Sequence, residues 1–467
     1  MTPQEFQDAM LARVGSADLF ERARAYACEY MDGIRERRVF PDGRALGRLQ
    51  EFDEPLPDSP TEPEEILRLL HEHGSPATVA TSGGRYFGFV TGGAIPTALA
   101  AKWLADVWDQ VTALYVLSPV ASRLEATCEK WVVELLGLPK GTVAGLVSGT
   151  SSATMCGLAA GRNELLRRLG WDVSDKGLFG APAIRVVMTD QAHATVPKAL
   201  ALLGLGRARV EAVPTDRQGR LIVERMPELD SRCLVIAQAG NVSTGSFDPL
   251  DAVGERCRAA GAWLHIDGAF GLWAAAAPSH RHLTKGLEKG DSWSVDGHKT
   301  LNTPYDCGIV LCRDPQALVS ALQAADSYIL YGEHRDGMLY TPEMSRRARA
   351  VELWATLKAL GRSGVEALVG RLCEHASRFE AQLRARGFRI LNDVVFNQVL
   401  VACESPDLTK ATLRYVQESG ECWCGGAVWE GEPVIRISVC SWATTTADVD
   451  RSVAAFTNAR ERASSER

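Results

Sequence analysis

The 467-residue chain contains no apolar run approaching the ~18 residues that a membrane-spanning helix needs. It lacks an excess of positive charge too. Its 51 Lys and Arg stand against 58 Asp and Glu, and the net charge of −7 removes any electrostatic motive for binding nucleic acid or an anionic lipid surface. The short basic runs Arg167-Arg168 and Arg346-Arg347 read as solvated helix faces. There is no internal repeat and no low-complexity tract. The first eight residues are acidic and carry no apolar stretch, which reads as the absence of a secretory leader. Cysteine is not scarce, at twelve, but a metal-finger pattern is missing: no second Cys/His pair accompanies Cys422 and Cys424. Cys312, Cys403 and Cys440 fall inside apolar runs as small core residues, and the expected compartment is a reducing cytoplasm.

What is present is an ordinary globular composition, 46% hydrophobic and 23% charged, in a chain long enough for two or three domains. Residues 1–50 read as helices, including 20–37, and residues 54–63 as a proline-rich linker entering a further helix. There Thr61 is the expected N-cap, with Pro63 at the first helical position and Glu64 and Glu65 in the first turn. From residue 93 the text alternates: apolar runs at 185–188, 234–237, 264–266 and 309–311 are separated by helical stretches such as 250–260. Strands that read as continuous apolar runs are buried on both faces, so the expected architecture is α/β, a mostly parallel central sheet with helices on both sides. The helices expected at 345–360 and 364–384 and the strands at 389–391, 398–402 and 434–439 suggest a smaller α+β domain. The expected division is therefore an N-terminal helical segment 1–92, a large domain 93–335 and a small C-terminal domain 336–467.

The segment 294–308 carries the most information. Lys299 directly follows His298 in a polar loop before the apolar run 307–312, and upstream Asp267 ends the strand-like 264–266. A lysine beside a histidine, served by a distant carboxylate, is what pyridoxal phosphate chemistry requires: the amine condenses with the cofactor aldehyde and the acid pairs with the pyridine nitrogen. Asp267 would lie at the carboxyl end of a parallel strand, where open α/β sheets bind ligands. Upstream again, the Gly/Ser/Thr-rich stretch 146–154 ends an apolar run and opens a helix to about residue 169, so its backbone N–H groups form an anion site. His193 follows the strand 185–188.

This order of phosphate loop, histidine, strand-end aspartate and His-Lys pair resembles the group II pyridoxal-phosphate-dependent amino acid decarboxylases, from the 54–63 stretch to Trp442. The resemblance implies the aspartate aminotransferase-like, fold-type I architecture and pyridoxal 5′-phosphate as cofactor. It implies Gly149, Thr150 and Ser151 at the phosphate, His193 stacked on the pyridine ring, Ala269 beneath it and Asn241 beside it. Asp296 and His298 flank the cofactor-bearing Lys299, with Asp296 standing where relatives often carry Asn. Ser152 replaces the family's usual Glu and receives no role. The aromatic segment 85–93, with Tyr86, Phe87 and Phe89, resembles the family's substrate-side segment, and Arg436 is a further candidate for a substrate carboxylate. The family's mobile-loop tyrosine, which protonates Cα, falls about at Gly337, so Tyr340 and Tyr331 are the expected replacements, with His193 as alternative acid.

The implied activity is decarboxylation of an L-amino acid to amine and carbon dioxide by a carboxy-lyase. The alternative within the fold is another reaction at Cα or Cβ, either aldol-type cleavage or decarboxylation coupled to oxidative deamination. The expected assembly is a cytoplasmic homodimer acting on a small-molecule amino acid substrate, with no nucleic-acid or membrane partner.

Overall fold

The computed structural model describes residues 2–323 and 334–466. Seven strands form the larger sheet: β1 (Val143–Val147), β2 (Arg185–Thr189), β3 (Val210–Val213), β4 (Cys233–Gln238), β5 (Trp263–Asp267), β6 (Ser292–Asp296) and β7 (Gly308–Cys312), in the order β1-β7-β6-β5-β4-β2-β3. All neighbours pair in parallel except those of β7, which runs antiparallel to both β6 and β1. Only residues 297–307 separate β6 from β7. A parallel return needs a crossover of about a dozen residues or more, so a connection this short turns the chain back on itself. That turn holds Lys299 at the carboxyl edge of the sheet.

Alternate residues of each strand divide between two cores. Val235, Ala237, Leu264, Ile266, Ile309 and Leu311 join one cluster, while Leu234, Ile236, Val310 and Cys312 join the other. This two-sided burial is why the strands read as unbroken apolar runs. Each fully buried Val, Leu or Ile contributes about 1.5–3 kcal/mol of transfer free energy. Helices Pro119–Leu136 and Leu250–Ala260 cover the first face, and Thr150–Arg168, Thr195–Leu202 and Pro315–Leu322 the second.

A second, antiparallel sheet, β10-β11-β9-β8, comprises β8 (Arg389–Ile390), β9 (Gln398–Ala402), β10 (Gly425–Trp429) and β11 (Glu432–Ser438). The helix Ala350–Ala385 joins the two bodies, contributing Leu353 and Leu357 to the large core and Leu372 and Phe379 to the small one. It consists of two helices joined at Gly361, whose φ of 60° and ψ of −175° break the helical dihedrals in the gap expected between residues 360 and 364.

Two local expectations are corrected. The helix at Pro63 is entered from Glu62 rather than Thr61, without a side-chain cap, although Pro63, Glu64 and Glu65 stand as expected. Arg346 is no solvated helix residue: its side chain is 1% exposed and pairs at 2.6 Å with the equally buried Glu125. Arg347 likewise engages Asp306 and Glu352. A charge pattern alone cannot distinguish a solvated run from one half of a buried pair whose partner lies some 200 residues away. Arg167 and Arg168 pair with Glu164 on their own helix.

Candidate active site

Asp267 and Asp296 close β5 and β6 at the same sheet edge, where Gln238 of β4 is in register with Asp267, and Asp267 with Ser294. Above these strand ends lies a cavity of about 310 Å³. Nine of the eleven expected site residues line it: Gly149, Thr150, Ser151, His193, Asp267, Ala269, Asp296, His298 and Lys299.

The anion cradle follows from the β1-to-helix turn. Gly149 is the N-cap of Thr150–Arg168, a 19-residue helix whose first N–H groups face the turn. A side chain at Gly308 of β7 would collide with the Gly149 backbone, so glycine there lets the turn lie against the sheet. The Thr150 amide donates to Asp296 Oδ1 at 2.7 Å, while Thr150 Oγ1 is buried without a hydrogen-bond partner among the described residues.

Asp296, 2% exposed, has three neighbours of opposite polarity. Besides the Thr150 amide, Lys299 Nζ lies 3.1 Å from Oδ2 and His298 Nε2 3.5 Å from it. The Cys307 amide donates to His298 Nδ1 at 3.0 Å, and Tyr305 stacks on the His298 ring with centroids 4.2 Å apart. Burial lowers the His298 pKa despite the nearby Asp296.

Asp267 is buried and weakly satisfied: the Ala269 amide and Ser294 hydroxyl approach its Oδ1 at 3.3 and 3.4 Å. Burial raises its pKa above the usual carboxylate value, opposed by the positive charge of His193 and Lys299. His193 is shifted down by burial, with Asp267 pulling the other way. Its Nδ1 lies 2.7 Å from the Thr195 hydroxyl and 3.4 Å from the Thr195 amide nitrogen. On the strand face below, His265 bonds Ser292 and Ser294, and burial pushes its pKa down to about 3, which makes it a structural residue.

The 85–93 segment reaches the site through backbone geometry. Phe89 and Val90 line the cavity, both with positive φ (53° and 56°), a conformation rare for a β-branched residue and typical of sites held by their surroundings. Gly92 packs so close to the Lys299 backbone that any side chain would collide with it. Tyr86 and Phe89 both stack on Trp423, at 5.2 and 5.5 Å. Phe87 instead packs edge-on to Phe379 in the small core.

Two expected residues stand apart. Asn241 is buried beside the cavity, and its Oδ1 accepts from the Ser243 and Thr244 amides, capping its own turn. Tyr340 packs its carbonyl against Gly145 of β1 and its ring beneath Arg335, 4.2 Å away, and does not line its own chain's cavity. Gly337 is buried where a side chain would collide with Arg346, the Thr112 carbonyl and Glu125. Tyr331 lies outside the described residues. Conversely, Thr195, Gln238, Val242 and Phe270 line the cavity without having been singled out. Thr195, two residues beyond His193, carried a signal in its spacing; the others belong to strand ends and turns with no distinctive pattern. Trp423 lies between Cys422 and Cys424, both of which are buried in the small core, and nothing in that spacing marks it.

The family model for the pyridoxal-dependent decarboxylase conserved domain matches residues 47–402. The chain belongs to this family. It is therefore a pyridoxal-phosphate-dependent amino acid decarboxylase, a carboxy-lyase. Among similar proteins, pig aromatic-L-amino-acid decarboxylase is 26% identical over 443 residues, covering 89% of this chain and 90% of that one. Mouse acidic amino acid decarboxylase GADL1 is 28% identical over 392 residues, covering 80% and 69%. The crystal structure of Oryza sativa TDC with PLP and tryptamine superposes with a TM-score of 0.87 at 22% identity, covering 96% of this chain and 99% of that one. That likeness establishes the fold-type I architecture.

The decarboxylase cavity fits its cofactor on its own chemistry. A helix N-terminus with an unpartnered threonine hydroxyl suits a phosphate, a lysine amine suits an aldehyde, and a buried carboxyl suits a ring nitrogen.

Proposed function

We propose that this decarboxylase acts on an L-amino acid with an aromatic side chain, using Lys299, Asp267 and His193 around one cofactor. The observation that carries the chemistry is their convergence, with the 149–151 turn, on a single cavity at the strand ends. The side-chain class rests on Phe89 and the Trp423 stack behind it, together with Val90, Val242 and Phe270 in the wall. An acidic substrate is the second reading, favoured by Arg436. That guanidinium lines the cavity, and its buried Nε has no hydrogen-bond partner among the described residues, although Nη1 donates to the Val242 carbonyl at 3.1 Å. A panel of amino acids scored together for carbon dioxide, amine, aldehyde and hydrogen peroxide tests both: amine and carbon dioxide from aromatic substrates support the reading. Aldehyde and peroxide would sink it in favour of coupled oxidation.

Pyridoxal phosphate, when bound, supplies the sink for the electron pair left as the carboxylate departs. Lys299 would hold it through Nζ, the 149–151 turn its phosphate and Asp267 its ring nitrogen, with Ala269, Asp296, His298 and Asn241 around it. Asp267, buried at the strand end, would keep a proton on that nitrogen. His193 would move a proton at Nε2: its imidazolium, favoured by Asp267 and donating from Nδ1 to the Thr195 hydroxyl, gives the proton to substrate Cα and returns to the neutral ring.

Tyr340 sits under Arg335 outside this cavity, so Tyr340→Phe is expected to keep amine yield within about twofold. His193→Gln should lower it by roughly 10²–10⁴, the usual worth of a positioned acid. Amine quantification with a parallel assay for aldehyde checks the pair, and a collapse in the Tyr340 variant would return the role to the tyrosine.

The chain divides into the units 1–92, 93–335 and 336–467. It works as a cytoplasmic homodimer; among the described residues no helix is long and apolar enough to cross a membrane. Helices Pro3–Val14 and Ala17–Gly33 bury no residue, and Leu104, Val107, Val116 and Leu117 are at least half exposed. Apolar surface of this kind on an otherwise packed chain needs a partner. Light scattering is expected to give twice the chain mass, and Leu104→Glu with Val107→Glu to shift it toward the monomer with loss of activity. A fully active monomer would contradict the assembly.

A further inference from the structure

Asp296 holds both groups that a phosphorylated aldehyde must engage. Its Oδ1 takes the Thr150 amide hydrogen at 2.7 Å, the N–H at the head of the phosphate cradle, and its Oδ2 takes Lys299 Nζ at 3.1 Å. An amide hydrogen serves one strong acceptor at a time, and a carboxylate next to a phosphate repels it. The carboxylate is also fixed in place. Asp296 is the last residue of β6, its amide donates to the Ala269 carbonyl, and its own carbonyl accepts from Trp273 Nε1 at 2.9 Å. Thr150 Oγ1 beside it has no partner among the described residues, so the cradle is built for more acceptor oxygens than one carboxylate supplies.

We propose that Asp296 is an internal stand-in for the cofactor phosphate, a positioning residue that keeps the cradle and Lys299 ordered without cofactor and makes the chain release cofactor readily. The proposal rests on the decarboxylase reading of the site and adds a regulated occupancy to it. A phosphate in the cradle would need the Thr150 amide that Oδ1 now holds, and condensation of the Lys299 amine with an aldehyde, with loss of water and of ammonium protons, would leave Oδ2 fewer N–H donors. An amide at position 296 can still accept from Thr150 but carries no charge against the phosphate.

The test is an equilibrium titration of cofactor-free protein, unmodified and Asp296→Asn, with pyridoxal 5′-phosphate, with pyridoxal and with inorganic phosphate as competitor. Asp296→Asn is expected to bind pyridoxal phosphate about tenfold or more tightly, as expected when a like charge beside an anion is removed. Pyridoxal, which has no phosphate, should change by less than about threefold, and inorganic phosphate should become the better competitor. Asp296→Ser, which also removes the charge, should move the same way, and thermal unfolding of all three proteins verifies folding. Unchanged or weaker binding of pyridoxal phosphate would overturn the proposal, as would equal tightening of both aldehydes, which would assign the effect to the lysine alone. Failure of every chain to fix a borohydride-reduced pyridoxyl group on Lys299 would strike down the reading of the site beneath the inference, and the inference with it.

Discussion

Asp267→Asn is expected to retain cofactor and lose at least about a hundredfold in turnover. Two opposite charges about 4 Å apart interact by roughly 4 kcal/mol at an effective dielectric of 20. At about 1.4 kcal/mol per unit, this corresponds to nearly three pKa units of protection for a proton on the ring nitrogen. An amide provides almost none of it. Stability should not fall, because the amide oxygen can still accept from Ala269 and Ser294, and a buried carboxyl whose pKa burial has raised is replaced by a neutral group. The visible absorption band of the bound cofactor, turnover with the preferred amino acid and thermal unfolding separate these statements. Turnover within threefold of the unmodified protein would remove Asp267 from the mechanism.

The large sheet was legible because its strands are buried on both faces: continuous runs such as 234–237 and 264–266 admit few other readings. What escaped was what period and composition do not encode. The four residues of β3 (Val210–Val213) include Glu211, paired with Arg185, and do not read as an apolar run. In β10 (Gly425–Trp429), two glycines precede an alternating half-exposed pattern. The antiparallel direction of β7 follows from the length of one loop, not from its own residues.

Within the site, residues whose chemistry is rare in their local context were readable. These are the lysine after a histidine, the strand-end aspartate and the glycine at a helix start. Residues whose role depends on a distant contact were not. Nothing near Gly337 in the chain announces that Arg346, Thr112 and Glu125 fill the space its side chain would need, nor does the Cys422–Cys424 spacing announce that Trp423 stacks on Tyr86 and Phe89. Asp296 is an intermediate case: its neighbourhood was legible, but its simultaneous hold on Thr150 and Lys299 is a fact of three dimensions.

Replacing Lys299 should produce the largest loss, and comparing two substitutions separates chemistry from folding. Lys299→Arg keeps a cation for Asp296 but offers a guanidinium in place of the amine, so the fold should persist while turnover drops by at least about 10³, or 4 kcal/mol of barrier. Lys299→Ala should lose turnover to the same extent and destabilise the protein as well. It strands a carboxylate that is 2% exposed, and removing one partner of a buried pair costs about 3–5 kcal/mol. The cost here should be lower, since Asp296 keeps the Thr150 amide and Lys299 itself is partly exposed. Borohydride reduction followed by peptide mass mapping is expected to fix the pyridoxyl group on Lys299 in the unmodified protein and nowhere in either variant. Lys285, paired with Asp251 on the exterior, and Lys198, on the helix Thr195–Leu202, are the controls. Labelling of either in place of Lys299, or an arginine variant that still turns over, would place the cofactor elsewhere and undo the assignment from which the roles of Asp267, His193 and Asp296 were built.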